Sequence, residues 1–94
     1  MVTVVVNHRV KDFDAWLPFF EEHAEMRRKQ GGKGAKVYRS ADDPNNVTVI
    51  FEWRDRAAFD ALGRSPDTRE ILAKAGVLGP PTFTFLNQAG TYPV

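Results

Sequence analysis

The 94-residue sequence predicts an α+β fold, with a four-stranded antiparallel sheet and helices on one of its faces. Short runs rich in valine and other strand-forming residues alternate with longer segments whose apolar residues recur at helical spacing, in the order β-α-β-β-α-β. Because crossover connections are right-handed, this order folds into the split βαβ or ferredoxin-like arrangement. We expect a single domain over residues 1–94, since a chain this short supports only one core.

Four segments are predicted to be strands. Residues 2–9 form the first, because of their valine content and length. Residues 35–40 and 46–53 form a hairpin across the turn "ADDPNN", where Pro44 and two asparagines supply turn dihedral angles. Residues 82–88, "TFTFLNQ", supply the fourth strand.

The first helix is predicted to begin at a cap formed by Asp12 or Asp14, to run to about Gln30, and to stop at the glycines 31 and 32. One face follows the i, i+3, i+4, i+7 rule and also carries His23. Its members are Phe13, Trp16, Leu17, Phe20, Ala24 and Arg27.

The second helical region consists of two segments. Residues 55–65 predict a short helix, and a new helix starts with Ser65 as N-cap and Pro66 at its first position. Gly76 is the predicted stop.

Composition excludes several classes of function. The net charge is +1, with acidic and basic residues interspersed, so no field of one sign exists to attract nucleic acid or an anionic membrane. The absence of cysteine excludes disulfides, thiolate catalysis and cysteine-based metal sites. No apolar run reaches membrane-spanning length and no signal-peptide pattern opens the chain, so we expect a cytoplasmic protein.

Both faces of the predicted sheet carry apolar side chains. Ile50 points to the face opposite that of Val49 and Phe51, and the first strand is valine-rich throughout. A sheet with helices on one side only would leave one apolar face uncovered. We therefore predict a homodimer in which the two sheets pack together.

The stretch "VTVIFEWRDRAAFDALGRSPDTREIL", residues 47–72, resembles the dimeric α/β-barrel superfamily. A strand ending in Glu-x-Trp, a helix with Phe and Leu, then Ser-Pro and a second helix recur there at this spacing. The superfamily includes antibiotic-biosynthesis monooxygenases, haem-degrading monooxygenases, small polyketide cyclases and muconolactone-type isomerases. The resemblance implies the fold and the dimer, whereas it leaves the chemistry open because so many activities share this fold.

The resemblance can be compared residue by residue with the haem-degrading members. Asn7 stands where those proteins use an Asn in the first strand, whereas their Trp position falls at about Leu62 and their iron-binding His position near Ile71 or Leu72. Aliphatic side chains cannot ligate iron, so haem oxygenation is disfavoured. Other members form quinones without a cofactor, from electron-rich phenols that react with oxygen themselves.

Strand and helix rises predict two separate polar clusters. A strand rises about 3.3 Å per residue and a helix returns about 1.5 Å per residue, so His23 lies level with about Val4, whereas His8 stays at the opposite end. The first cluster is His23 and Arg27, with Glu52 or Tyr38 from the sheet.

Two interpretations of this first cluster stay open. In one, His23 is a general acid or base, and Arg27, helped by Tyr38, holds a substrate carboxylate or enolate. In the other, Arg27 forms an ion pair with Glu52 and His23 is a satisfied core residue. If the hairpin pairs Arg39 with Val47, the side chains of Tyr38 and Glu52 share one sheet face, but the sequence leaves open which face meets the helices.

The second cluster lies at the end of the first strand. Side chains alternate along a strand, so Asn7 and His8 point to opposite faces. His8 shares the parity of Val4 and Val6 and is the better candidate for a cavity under the helices, near Trp16. The alternative is a strand end that reaches solvent.

We therefore predict a small enzyme that needs neither cofactor nor metal and acts by proton transfer on an aromatic, polyketide-like or carbonyl-bearing molecule, as an isomerase, cyclase or lyase. A cofactor-free monooxygenase and a non-catalytic ligand-binding or dimerisation module are the alternatives. The candidate catalytic residues are His8, His23, Arg27 and Tyr38. The candidate substrate-binding residues are Asn7, Trp16, Phe20, Phe51, Glu52 and Trp53.

Overall fold

A computed structural model describes all 94 residues of the chain and confirms the ferredoxin-like fold. The elements are β1 (Val2–Val10), α1 (Phe13–Glu22), α2 (Ala24–Lys29), β2 (Gly32–Arg39), β3 (Asn46–Trp53), α3 (Arg56–Arg64), α4 (Pro66–Lys74) and β4 (Val77–Leu86). The strands form one sheet in the order β2-β3-β1-β4, with every neighbouring pair antiparallel. No helix has the length and apolar character that a bilayer crossing requires.

The register matches the predicted hairpin, because Val47 of β3 lies opposite both His8 of β1 and Arg39 of β2. Burial alternates along β1 and β3, so each strand has a face under the helices and a face turned away from them. We call these the inner face and the outer face. The inner face of the two central strands consists of Val4, Val6, His8, Val10, Val47, Val49, Phe51 and Trp53.

The core lies between the inner face and the helices. Trp53 is fully buried, and its Nε1 donates a hydrogen bond to the Gln30 carbonyl oxygen at 3.1 Å. Gly31 has a φ of +113° and approaches this indole so closely that an added Cβ would lie 3.1 Å from Nε1. The predicted glycine stop therefore also provides the close approach that the core tryptophan needs.

The first helix differs from the prediction, because it is broken at His23 into α1 and α2. The carbonyl oxygens of Phe19 and Phe20 would normally accept hydrogen bonds from backbone N–H groups four residues later. Here they accept from the side chains of His23 and Arg27, at 2.6 and 2.7 Å. Side-chain donors thus cap the carbonyls at the break and hold both side chains in place.

Two strands start earlier than predicted. β4 begins at Val77 and contains Pro80 and Pro81, which precede the predicted strand. β4 is an edge strand, where a residue without a backbone N–H is tolerated. β2 begins at Gly32, with a register irregularity between Gly32 and Gly34.

Candidate active site

A cavity of about 380 Å³ lies between the inner face of the sheet and the helices. Its wall is largely apolar, with aromatic side chains from α1, β3, α3 and β4. These aromatic residues are Trp16, Phe19, Phe20, Phe51, Phe59 and Phe83. The volume lies at the lower end of the roughly 300–1,000 Å³ that is typical of small-molecule sites.

His8 lines this cavity from the sheet side. Its side chain is on the inner face of β1, the residue is only 6% exposed, and its ring meets that of Trp16 edge-on at a centroid distance of 5.6 Å. Nδ1 is buried and has no hydrogen-bond partner. Burial lowers the pKa of His8 below the usual 6.5, opposed more weakly by the residue's own backbone, so the imidazole is neutral at pH 7.

The irregular pairing of β4 explains why there is space beside His8. Asn7 lies opposite Thr82 and Arg9 opposite Leu78, so β4 has three residues where β1 has only His8. This insertion includes Gly79, with a φ of +72°, and two prolines that line the cavity. The bulge therefore bends β4 at the position of the imidazole.

His23 lines the same cavity from the break between α1 and α2. A carbonyl oxygen can only accept, so Nδ1 donates to the Phe19 oxygen and carries the ring proton of the neutral form. Nε2 is then the nitrogen with a free lone pair. The hydrogen bond fixes the tautomer and the ring orientation together.

Arg27 also lines the cavity. Nη1 donates to the Phe20 carbonyl oxygen, and the guanidinium carbon lies 3.8 Å above the centroid of the Phe20 ring. Arg27 forms none of the ion pairs of the structure. Burial lowers the pKa of Arg27, although a guanidinium stays protonated at physiological pH.

The charges around the cavity are all positive. Arg27 and Arg69 are the charged residues that line it, and no aspartate or glutamate does. A half-buried guanidinium without a carboxylate partner favours a ligand that carries or develops negative charge. No group of three or more metal-ligating side chains comes together in the structure.

The two predicted polar clusters share one cavity, because His8, His23 and Arg27 all line it. The two levels inferred from strand and helix rises are thus connected by a single cavity. Trp16, Phe20 and Phe51 are on its wall as well. Trp53 instead lines a smaller cleft of about 170 Å³ next to it.

Asn7, Tyr38 and Glu52 lie on the outer face, away from the cavity. The Asn7 amide donates to Asn46 Oδ1 and to Thr48 Oγ1, at 2.8 and 3.0 Å. Tyr38 pairs with Thr48 and is 50% exposed. The side chain of Glu52 accepts a 2.8 Å hydrogen bond from a threonine hydroxyl of β1, so the Arg27–Glu52 ion pair considered for the sequence does not form.

The sequence contained a signal for part of the cavity that the site prediction missed. Thr68, Ile71, Leu72 and Ala75 line it from α4 and its C-terminal end, at the i, i+3, i+4, i+7 spacing of one helix face. Arg69 follows the first of them in the chain. The β4 bulge had no comparable signal, because its residues 79–81 lie before the predicted fourth strand.

These features define a class: ferredoxin-like proteins that hold a small apolar ligand cavity between their sheet and their helices. Residues 1–74 match the model of the antibiotic biosynthesis monooxygenase family, and the chain belongs to this family. No curated protein gives a significant sequence match.

Solved structures agree with the assignment. The fold is similar to that of SnoaB, a cofactor-independent oxygenase from Streptomyces nogalater, with 21% identity, a TM-score of 0.75, and coverage of 99% of this chain and 97% of SnoaB. The ActVA-Orf6 monooxygenase of Streptomyces coelicolor, solved in complex with nanaomycin D, is 26% identical with a TM-score of 0.70. That match covers 97% of this chain and 89% of the monooxygenase.

Proposed function

We propose that the protein is a cofactor-independent monooxygenase that converts an electron-rich polycyclic phenol into a quinone. One observation carries the proposal: an unpartnered neutral histidine, His8, lines an apolar cavity whose only charged residues are arginines. Family membership and the likeness to a cofactor-independent oxygenase support it. The ligand in the ActVA-Orf6 complex supports a small organic molecule as the occupant.

In the first step, His8 accepts the proton of the phenol hydroxyl. A phenol has a pKa of about 10, several units above that of a buried imidazole, so this transfer is unfavourable unless the phenolate is stabilised. Arg27 and Arg69 supply positive charge in a cavity with few competing polar groups, where each charge acts more strongly than in water.

In the second step, the phenolate transfers one electron to O₂, and the resulting phenoxyl radical and superoxide combine at the ring carbon para to the oxygen. The peroxide anion so formed takes the proton back from His8, and the resulting hydroperoxide loses water as the O–O bond breaks and the para C–H proton leaves. The sum is one phenol and one O₂ giving one quinone and one H₂O. Molecular oxygen is the only oxidant, and the protein's own groups move protons and stabilise charge.

The cavity wall would orient the substrate. Trp16 stacks on Phe20 with a centroid distance of 5.1 Å, and Phe51 lies 6.1 Å from Phe20. A planar ring system can pack against such aromatic faces at little conformational cost. Exclusion of water from this wall also protects the radical pair from side reactions.

The proposal is tested with 1,5-dihydroxynaphthalene in an oxygen electrode, with the quinone followed by its visible absorbance. We expect equal amounts of O₂ consumed and 5-hydroxy-1,4-naphthoquinone formed, faster than in buffer. His8→Phe should lower turnover by about 10²–10⁴-fold, the usual contribution of general-base catalysis. Asn7→Ala, one residue away on the outer face, is the matched control and should keep activity. Oxygen uptake at the buffer rate, or undiminished turnover in His8→Phe, would contradict the proposal.

A second candidate is an isomerase or cyclase that acts by proton transfer alone. The same arrangement supports it, because a neutral histidine and an arginine also suffice to form and hold an enolate. This activity would exchange substrate protons for deuterium without consuming O₂. A non-catalytic binding module would bind the naphthol and do neither.

We also propose that the protein is a homodimer that covers its outer face. Apolar side chains on that face include the central Val5 and Ile50, which are half-buried, and Tyr38 and Leu86, which are 50% and 45% exposed. The helices cover only the opposite side, so a second copy is the simplest cover. Sedimentation at micromolar concentration should give twice the mass of the chain, whereas a stable monomer would contradict the dimer.

A further inference from the structure

We propose that the cleft beside the cavity binds the anionic substituent, such as a carboxylate, of an aromatic ligand. This inference rests on the proposed function, because the ring system of the same ligand would occupy the cavity. The cleft has a volume of about 170 Å³ and lies between α2, β2 and β3. It is too small for an aromatic ligand of its own, yet large enough for a short polar group.

The cleft and the cavity are neighbours, since Arg27 and Phe51 line both. A ligand that reaches from one to the other would therefore pass the guanidinium. Arg27 has five N–H donors, and the Phe20 carbonyl takes one of them. The remaining donors are available to a ligand in either space.

The cleft is positively charged. Arg27, Arg28 and Lys33 line it, and no aspartate or glutamate does. Arg28 is paired with Glu25, so part of its charge is already compensated. Lys33 forms no ion pair, which leaves Lys33 and Arg27 as the cations without an anionic partner. A ligand carboxylate between these two side chains would accept charge-assisted hydrogen bonds from both.

Small residues keep the cleft open. At Gly32 an added Cβ would lie 2.9 Å from the Arg27 carbonyl oxygen, so this position requires glycine. Ala35, which lines the cleft opposite Phe51 on the inner face, contributes only a methyl group. The irregular pairing of Gly32 and Gly34 with β3 leaves Lys33 between them without a partner in β3, and Lys33 lines the cleft.

The test compares 1-naphthaleneacetic acid with 1-naphthaleneacetamide by titration calorimetry at about neutral pH. The two probes share ring and shape and differ in charge. We expect the acid to bind the wild-type protein about five-fold more tightly or better, corresponding to about 1 kcal/mol from a partly exposed charge pair. Lys33→Gln should remove most of this preference without changing affinity for the amide.

The matched control is Lys36→Gln, on the same strand, opposite Ile50 on the outer face. It should leave both affinities unchanged, which separates a local contact from a general effect of net charge. Ala35→Leu, which adds bulk at a cleft-lining position opposite Phe51 on the inner face, should weaken binding of the acid more than binding of the amide.

The outcomes distinguish this inference from the proposed function. Equal affinity for both probes, or an unchanged preference in Lys33→Gln, would overturn the cleft assignment and leave the cavity as a ligand site. Failure of both probes to bind would overturn the cavity as well. A preference lost equally in Lys33→Gln and Lys36→Gln would show a diffuse charge effect and would also reject the cleft.

Discussion

The inner and outer faces of the sheet are formed by the same strands, but their polar side chains differ in whether they have hydrogen-bond partners. Asn7 and His8 are consecutive, yet the Asn7 amide has partners in Asn46 and Thr48, whereas Nδ1 of His8 has none. A satisfied polar group stabilises the strand that carries it, while an unsatisfied buried one has an energetic cost unless something binds there. The comparison gives the outer amide a structural role and leaves the inner imidazole free for the role toward a ligand that we propose.

The largest expected effect tests the same contrast at the other end of β3. Trp53→Ala should destabilise the fold by about 3–5 kcal/mol, because it empties a fully buried site on the inner face. Its neighbour Glu52 is on the outer face and accepts a hydrogen bond from Thr3, so Glu52→Ala should cost no more than about 1.5 kcal/mol. Urea unfolding of the three proteins at one concentration measures both. Equal losses would show that the faces do not differ in this way.

The sequence predicted the fold because its signals are local and periodic. The valine-rich first strand, the "ADDPNN" turn and the Gly31–Gly32 stop each constrain their own segment, and all agree on one topology. Even the pairing of Arg39 with Val47 follows from the length of the hairpin loop.

The site was harder to predict, because its residues depend on contacts between distant segments. Parity alone placed His8 and Asn7 on opposite faces, but no local signal indicated that the cavity would extend from His8 to His23. Arg27 was considered for an ion pair with Glu52, and it instead turns back to the Phe20 carbonyl. The spacing of apolar residues cannot predict a helix break that is stabilised by side-chain donors.

The second expected effect concerns the outer face as a contact surface. Ile50→Lys should weaken the proposed homodimer by about 2 kcal/mol or more, because a two-fold interface would bury the new charge from both copies. Ala61→Lys, on an exposed position of α3, is the control for added charge. Sedimentation velocity over a dilution series would compare them. The outer-face assignment fails if both variants dissociate alike.

A smaller effect is expected at Asn7. Asn7→Ala removes the amide that bridges β1 to Asn46 and Thr48 and should destabilise the fold by about 1 kcal/mol. Thermal melting would measure it, alongside Thr84→Ala as a control on the same face of the edge strand, opposite Val5. A loss of turnover at unchanged stability would instead give Asn7 a role in the site.

The smallest expected effect is a pH dependence that belongs to His8 alone. Burial lowers the pKa of His8 below 6.5, so in the interval between the two values the unfolded chain holds this proton and the folded chain does not. Stability should therefore fall as the pH decreases from 6.5 through that interval, and the contribution should be absent from His8→Phe. Melting temperatures at about pH 7.5 and about pH 5 compare the two proteins. If His8→Phe does not fold, an NMR titration of the wild-type imidazole reports the same quantity, and a midpoint at or above 6.5 would mean that the inner-face histidine is not desolvated.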